Sequence, residues 1–278
     1  MSGRQRTPYR RGGPDPGRLG GRAPLLLGPA CLLAFAALAA AVTTSSTVPL
    51  PGDASVAHWA VTHRPAVAVA TARALTSTGT GAVPYLLAAL AGLVAGPGLL
   101  AGGQGPRARG WGAVICSAVL LAGQGLRLVA LAAIARPRPP AADWATHASN
   151  WSFPSGHATT SAITAGLLVG AVLVRAPRFR GTLVALVLCW GVAVGLTRAY
   201  LAVHWASDVV GGWLFATAWL CLCALLLGRP ARLARREVSG PEPSHVACPP
   251  RDGQHGGAAV PDDEHPRPRR DDPRKDHG

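Results

Sequence analysis

Six long apolar segments are the feature that most restricts what this chain can fold into. They lie near residues 24–43, 82–103, 111–135, 158–175, 181–198 and 205–228. Each approaches the roughly 20 residues that a helix needs to cross about 30 Å of hydrocarbon. Because lipid offers the backbone no hydrogen-bond partner, such segments cross a membrane only as helices or closed barrels, and their length favours helices. The sequence therefore predicts an all-α polytopic membrane protein, a bundle of six transmembrane helices.

The composition also favours a membrane protein and disfavours a nucleic-acid-binding one. Of the 278 residues, 49% are hydrophobic and only 14% are charged, against roughly a quarter charged in soluble domains. The formal net charge is +14, but the arginines that carry it cluster in the tails and in short connections between apolar segments. We therefore expect membrane lipids as partners and no nucleic acid.

The arginines also predict the orientation of the chain in the membrane. The first connection holds only Arg64 and Arg73, whereas the N-terminal tail, the second and fourth connections and the end of the last segment are arginine-rich. The positive-inside rule then places both termini in the cytoplasm and the third and fifth connections outside. A cleaved signal peptide within residues 1–43 is the alternative, but the long apolar run and long basic leader favour an uncleaved anchor.

The remaining segments complete the predicted organisation. Residues 1–23 and 229–278 are rich in Pro, Gly and charged residues, which predicts disordered tails, the second one cytoplasmic. Residues 24–81 hold the first transmembrane helix and, at 53–80, a helix expected to lie at the outer interface. Residues 82–228 form the core, with five transmembrane helices.

His204 and Asp208 lie four residues apart at the start of the last apolar segment. On a helix this spacing puts both side chains on one face. A carboxylate beside one ring nitrogen fixes the tautomer and leaves the other nitrogen free to attack an electrophile. A His–Asp pair can equally tie a helix end together, so this pair alone does not establish a reaction.

A turn of Pro154, Ser155, Gly156 and His157 precedes the fourth segment. The N-terminus of a helix offers unpaired N–H groups and the positive end of the helix dipole, which suit a phosphate. Gly156 lets the backbone approach an oxyanion closely, and Ser155 adds a hydroxyl donor. His157 is then placed to protonate a leaving oxygen. The alternative is that Ser155 only caps the helix.

Arginines stand at the same edge of the predicted bundle. Arg138 and Arg198 each lie at the outer end of an apolar segment, where positive charge is otherwise depleted. A guanidinium group binds phosphate oxygens in a planar fork and stays charged at any relevant pH. Arg136 alternates with Arg138, so the two side chains should point in different directions. We expect Arg138 to contact phosphate, with Arg136 as a possible second contact.

These residues resemble a known signature. Arg138-Pro139, Pro154-Ser155-Gly156-His157 and Thr197-Arg198-x5-His204-x3-Asp208 are similar to the three motifs of the type-2 phosphatidic acid phosphatase superfamily. That superfamily includes lipid phosphate phosphatases and undecaprenyl pyrophosphate phosphatases. The resemblance covers roughly residues 82–228. It implies a six-helix membrane fold, an extracytoplasmic active site, and neither a metal nor an organic cofactor.

The resemblance also implies a role for each matched residue. His204 becomes the nucleophile that forms a phosphohistidine, and Asp208 polarises it. His157 protonates the leaving oxygen. The groups that hold the phosphoryl oxygens are then Arg138, Arg198, Ser155 and the Gly156 amide.

One position departs from the pattern of the family. A lysine usually stands seven residues before the arginine of the first motif, and here that position is Leu131. Arg127, one helical turn deeper, would replace the missing cation only if its long side chain reached upward. Loss of such a charge costs roughly a hundredfold or more in rate.

The expected function is that of an integral membrane phosphatase acting on a phosphomonoester or pyrophosphate of a lipid, such as undecaprenyl pyrophosphate or phosphatidic acid. A lipid phosphotransferase would use the same site with a different acceptor. A non-catalytic transporter or scaffold that retains the fold is the alternative outside enzymes. Six apolar spans disfavour a soluble vanadium-dependent haloperoxidase. The sequence does not select the lipid or the oligomeric state.

Overall fold

The computed structural model describes residues 23–45, 49–99, 105–175 and 177–238. Within these ranges the secondary structure is helical, without strands, which confirms the predicted all-α class. A 3-10 helix, Ala141–Asp143, lies between α5 and α6. The α-helices are α1 (Ala23–Thr44), α2 (Asp53–Thr62), α3 (Ala66–Ser77), α4 (Ala82–Leu99), α5 (Pro106–Ile134), α6 (Gly156–Arg175), α7 (Arg180–Tyr200) and α8 (Ala206–Val238).

Five helices in the described part of the chain are long and apolar enough to cross a membrane: α1, α5, α6, α7 and the Ala206–Leu227 part of α8. Helices α3 and α4 meet the same criteria only as a pair, bent by 51° at the break between them. The count is therefore five, or six with this pair as one broken span. The second predicted span, 82–103, is described as a helix to Leu99, and its last residues lie outside the described ranges.

The prediction of one interfacial helix over residues 53–80 is wrong, because this segment forms two helices, α2 and α3. Pro65 occupies the N-cap position of α3 with extended backbone angles. Proline has no N–H for a preceding helical turn and disfavours the helical conformation of the residue before it. The chain must therefore break before Pro65 and start a new helix at Ala66.

The C-terminal boundary of the core also differs from the prediction. Helix α8 continues to Val238, so residues 229–238, assigned to the disordered tail, are helical. The reason is local, since this stretch is rich in Ala, Leu, Arg and Glu, which all favour helix. The predicted disorder of residues 1–22 and 239–278 falls outside the described residues.

Helix α6 lies at the centre of the helical packing and contacts α4, α5, α7 and α8. A buried apolar cluster joins α4, α5, α6 and α8 through Ala88, Leu120, Ile163 and Ala216. Hydrogen bonds between the loops at their ends show that successive helices α5 to α8 run in alternating directions. The C-terminal ends of α5 and α7 therefore lie at the same end of the bundle as the N-terminal ends of α6 and α8. All three sequence motifs fall at this end.

Candidate active site

Backbone hydrogen bonds join the loops that carry the three motifs. The Ser152 N–H donates to the Arg136 carbonyl at 2.9 Å, which ties the loop before α6 to the loop after α5. The Ser155 N–H donates to the Asp208 carbonyl at 3.0 Å, which ties the same loop to α8. A Cβ atom on Gly212 would lie 2.9 Å from the Ser155 carbonyl oxygen, so glycine allows this close approach.

A tight turn between α7 and α8 positions His204. The Val203 N–H donates to the Arg198 carbonyl at 3.2 Å, and Ala202 adopts the left-handed conformation with φ of 56°. Asp208 lies in the first turn of α8, and its Oδ2 atom accepts the Trp205 N–H at 2.9 Å. This bond resembles one half of a capping box, in which a side chain in the first helical turn satisfies the N-cap amide. The Asp208 carboxylate is thereby held beside the imidazole.

The two ring nitrogens of His204 have different neighbours. Nδ1 lies 3.4 Å from Asp208 Oδ2, and Nε2 lies 3.0 Å from Arg138 Nη1. A guanidinium group only donates hydrogen bonds, so Nε2 must be the acceptor and the ring proton belongs on Nδ1. In this tautomer Nε2 carries the lone pair that a nucleophilic histidine requires; the lone pair accepts the Arg138 hydrogen bond here, and that bond must break before Nε2 can attack an electrophile.

The protonation state of His204 follows from its surroundings. Burial lowers the pKa of His204 to about 4, and the positive charges of Arg138 and Arg198 act in the same direction. The hydrogen bond and negative charge of Asp208 oppose this shift but do not reverse it. A histidine with a lowered pKa is neutral above that pKa, so the His204 ring is neutral, with its one proton on Nδ1, throughout the physiological range.

We expect this shift to be directly measurable. In ¹⁵N-histidine NMR spectra of the purified protein, the His204 resonances should report a neutral ring with the proton on Nδ1 from pH 8 down to pH 5, with titration only near pH 4. The spectrum of a His204→Gln variant assigns the signals. Titration near the ordinary histidine pKa of about 6.5 would contradict the assignment of a desolvated nucleophile.

Arg136 and Arg138 point toward different partners, as their alternation in the sequence predicts. Arg138 donates to the carbonyls of Val203, Asn150 and Ser149 at 2.6–3.0 Å, in addition to its contact with His204. These bonds hold its guanidinium beside the candidate nucleophile. The side chain of Arg136 is buried and faces two carboxylates, so the structure does not bring it to the Nε2 side of His204.

Asp53 is a member of this cluster that the sequence reasoning missed. It lies at the start of α2, is 3% exposed, and accepts a hydrogen bond from Arg136 Nη2 at 2.8 Å. It also accepts from the backbone N–H and the hydroxyl of Ser207 at 2.9 and 2.6 Å. A lone aspartate at the start of an alanine-rich segment gave no sign of this role beyond its presence in apolar surroundings.

His157 and two further arginines complete the site. His157 lies within electrostatic range of Arg198, His204, Arg138 and Arg127. Arg198 is buried, and its Nη1 donates to Thr76 of α3 at 3.2 Å. The structure thus brings together the histidines and arginines of all three motifs.

Several buried donors at this site have no hydrogen-bond partner among the described residues. They include Arg127 Nε, Arg198 Nε and Ser155 Oγ. Leaving such groups unpaired costs roughly 1–3 kcal/mol each, more for charged groups. Because Ser155 Oγ bonds to no backbone amide in the described chain, the structure does not support the interpretation that this serine only caps α6. Unpaired donors of this kind suit an anion, whose oxygens accept several hydrogen bonds.

Arg127 reaches the site despite lying one helical turn deeper than Leu131. Its Nη1 donates to the Pro154 carbonyl at 3.3 Å, and a Cβ atom on residue 156 would lie 2.8 Å from the same nitrogen. Gly156 therefore leaves the space that this guanidinium occupies. Leu131 itself is 8% exposed and packs as an apolar residue.

The chain is similar to known phosphatases over part of its length. The family model of the PAP2 superfamily matches residues 112–231, which include all three motifs. The chain is 32% identical over 99 residues to a lipid A 1-phosphatase of Rhizobium johnstonii, a match of 36% of this chain and 37% of that protein. It is 34% identical over 94 residues to a lipid A 1-phosphatase of Rhizobium etli, covering 34% and 37% respectively. The chain thus matches little more than a third of these relatives.

A solved structure shows the same fold over a longer range. The crystal structure of a transmembrane PAP2 type phosphatidylglycerolphosphate phosphatase from Bacillus subtilis superposes with a TM-score of 0.60 and 24% identity. The superposition covers 73% of this chain and 96% of that one. At this identity the likeness concerns the fold, which is a multi-pass helical membrane fold.

Proposed function

Because residues 112–231 match the family model of the PAP2 superfamily, we propose that this chain is an integral membrane phosphatase that hydrolyses a phosphomonoester or pyrophosphate on a lipid. The observation that carries the proposal is the position of His204. Its neutral Nε2 lies beside Arg138, its Nδ1 faces Asp208, and buried donors of Arg127, Arg198 and Ser155 have no hydrogen-bond partner within the described part of the chain. This arrangement suits attack by an imidazole on a bound phosphoryl group.

The first chemical step is transfer of the phosphoryl group to the protein. The Nε2 lone pair of His204 attacks phosphorus while the bond to the leaving oxygen breaks, and the imidazolium form of His157 gives that oxygen a proton. The leaving group departs as a lipid alcohol, or as a lipid monophosphate when the substrate is a pyrophosphate. Asp208 stabilises the positive charge that the imidazole gains. The guanidinium groups stabilise the negative charge on the equatorial oxygens.

The second step releases phosphate. His157, now neutral, takes a proton from water, and the water oxygen attacks the phosphorus of phosphohistidine 204. The P–N bond breaks, inorganic phosphate leaves, and His204 returns to its neutral form. The cations for both steps come from arginines, so the proposed reaction is independent of a metal.

The charge distribution supports an extracytoplasmic site. The ends of α5, α6 and α7 that lie away from the site carry arginines, namely Arg107, Arg109, Arg175, Arg178 and Arg180. By the positive-inside rule these ends face the cytoplasm. The site then opens toward the outer leaflet, and both termini are cytoplasmic.

Phosphate release by the purified full-length chain in lipid nanodiscs tests the proposed function. We expect turnover of at least one of undecaprenyl pyrophosphate, phosphatidic acid, phosphatidylglycerol phosphate and diacylglycerol pyrophosphate, unchanged by EDTA. A His147→Ala variant, which replaces an exposed histidine, serves as the matched control and should keep full activity. Absence of phosphate release from the whole panel contradicts a phosphatase. Transfer of phosphate to an added lipid acceptor in preference to water would indicate a phosphotransferase.

Arg127 is expected to supply the cation that a lysine provides elsewhere in the superfamily. Its truncation in Arg127→Ala should lower kcat/KM roughly a hundredfold, because a buried charge near the phosphoryl oxygens is lost. Placing a lysine at the usual position, in Arg127→Ala with Leu131→Lys, should restore at least part of that loss. Steady-state kinetics on one lipid substrate measure both effects.

The single variant Leu131→Lys is the control, because it shows how an added positive charge changes kcat/KM while Arg127 is still present. A double variant that is no more active than Arg127→Ala, although folded to the same extent, would show that Arg127 does not replace the missing lysine.

A further inference from the structure

Behind His204 lies a continuous chain of buried charges that extends beyond the sequence motifs. It runs from Asp53 to Arg136, from Arg136 to Asp208, and from Asp208 to His204, with contacts of 2.8, 2.5 and 3.4 Å. The four side chains are between 0% and 3% exposed. Asp53 belongs to α2 and lies outside the segment 112–231 that matches the family.

We propose that Asp53 and Arg136 are positioning residues, which fix the Asp208 carboxylate and set the negative charge that His204 experiences. The inference rests on the proposed function for its catalytic consequence. Neither residue contacts the Nε2 side of His204, so both act through Asp208.

The geometry of Asp208 shows how the positioning works. Its Oδ1 atom accepts from Arg136, and its Oδ2 atom accepts from the Trp205 N–H and faces His204 Nδ1. With each oxygen assigned to a different partner, the plane of the carboxylate is set. Arg136 itself is held by Asp53 through Nη2 and lies 5.8 Å from the centre of the Trp205 ring. Each link in the chain therefore limits the freedom of the next.

Asp53 also ties this chain to the start of α8. Its two oxygens accept the backbone N–H and the hydroxyl of Ser207, which lies in the first turn of that helix. A negative charge there is favoured by the helix dipole. Helix α2 is thereby connected to the helix that carries Asp208, and we infer that the site needs this segment as well as the matched core.

The charges in the chain have a predictable effect on His204. Asp53, Arg136 and Asp208 together carry a net charge of −1 when ionised. Replacing Arg136 by Gln leaves two uncompensated carboxylates, which favour the imidazolium and raise the pKa of His204. Replacing Asp53 by Asn leaves Arg136 opposite Asp208 alone, which disfavours the imidazolium and lowers that pKa. Removing both charges restores a net −1 and should bring the pKa back toward the wild-type value.

The other charged groups that face His204 stay constant in this comparison. They are Arg138 from the loop after α5, Arg198 from α7 and His157 from α6. None of the proposed substitutions removes them, so any change in the titration of His204 comes from the Asp53–Arg136 pair.

The test measures His204 titration by ¹⁵N NMR and steady-state kinetics on the full-length protein, in Arg136→Gln, Asp53→Asn and the double variant. We expect Arg136→Gln to raise the pKa of His204 by about one unit, Asp53→Asn to move it in the opposite direction, and the double variant to lie between them. Each single variant should lower kcat roughly tenfold with KM unchanged, because the partners of a catalytic side chain are lost while the substrate contacts remain.

Two further variants keep the proposal open to refutation. Arg136→Lys retains the charge, so it should leave the pKa of His204 in place and keep more activity than Arg136→Gln. Asp143→Asn removes a carboxylate that is not part of the chain and should change neither quantity. Shifts of the same sign in both single variants, or no shift in Arg136→Gln, would overturn the proposal. The NMR measurement needs no turnover, so it separates failure of the positioning chain from failure of the proposed phosphatase function.

Discussion

Replacing His204 by Ala is expected to abolish turnover, with a loss of at least roughly 10,000-fold in kcat, because the protein then has no nucleophile at the phosphoryl group. The expected readout is covalent as well as kinetic. Brief incubation of the wild-type protein with a ³²P-labelled lipid phosphate should leave label that is stable in base and lost in acid, as expected of a phosphoramidate. His204→Ala should carry no label.

The controls for this experiment come from the same chain. His147→Ala should be labelled like the wild type, since His147 is exposed and outside the site. Asp208→Asn keeps the nucleophile but loses the charge that stabilises its imidazolium, so it should be labelled slowly rather than not at all. Residual turnover of His204→Ala above a tenth of the wild-type rate would exclude the covalent mechanism.

The sequence predicted the convergence at the site more completely than the helix boundaries. The motifs contain side chains whose chemistry is unusual at the ends of apolar helices, and alternating helix directions bring those ends together. His204, His157, Arg138 and Arg198 are accordingly close in the structure. That part of the prediction needed only the order of the spans and the position of each motif along its span.

Asp53 and the partners of Arg136 could not be predicted in the same way. The carboxylate of Asp53 meets Arg136 across 83 positions of sequence, and this contact depends on how α2 docks against the start of α8. No periodicity or spacing within residues 53–80 reports that docking. The sequence suggested Arg136 as a second phosphate contact because it does not show that two buried carboxylates already bind this side chain.

The role of Arg127 could be predicted from the sequence only in part. The sequence raised it as a replacement for the missing lysine at residue 131, and the outcome depended on the space beside the loop before α6. Gly156 provides that space, since a side chain there would meet the Arg127 guanidinium. Gly156 was predicted to let the backbone approach a phosphate, and its missing side chain also leaves room for the Arg127 guanidinium.

The second large effect is expected for His157→Ala, and its size should depend on the leaving group. A lipid alkoxide is a poor leaving group that needs a proton as the bond to phosphorus breaks, so loss of the general acid should slow lipid phosphate hydrolysis by roughly 10²–10⁴-fold. A nitrophenolate leaves readily without a proton. Formation of the phosphohistidine from p-nitrophenyl phosphate should therefore survive in His157→Ala.

Rapid-mixing kinetics distinguish these steps. Because His157 also activates water in the second step, His157→Ala mixed with p-nitrophenyl phosphate should release about one equivalent of nitrophenol in a burst and then turn over slowly, with the phosphorylated form accumulating. His204→Ala should give no burst. If His157→Ala lost the burst as completely as His204→Ala, His157 would be needed for phosphate binding or folding rather than for proton transfer. If it hydrolysed lipid phosphates at the wild-type rate, another group would have to protonate the leaving oxygen.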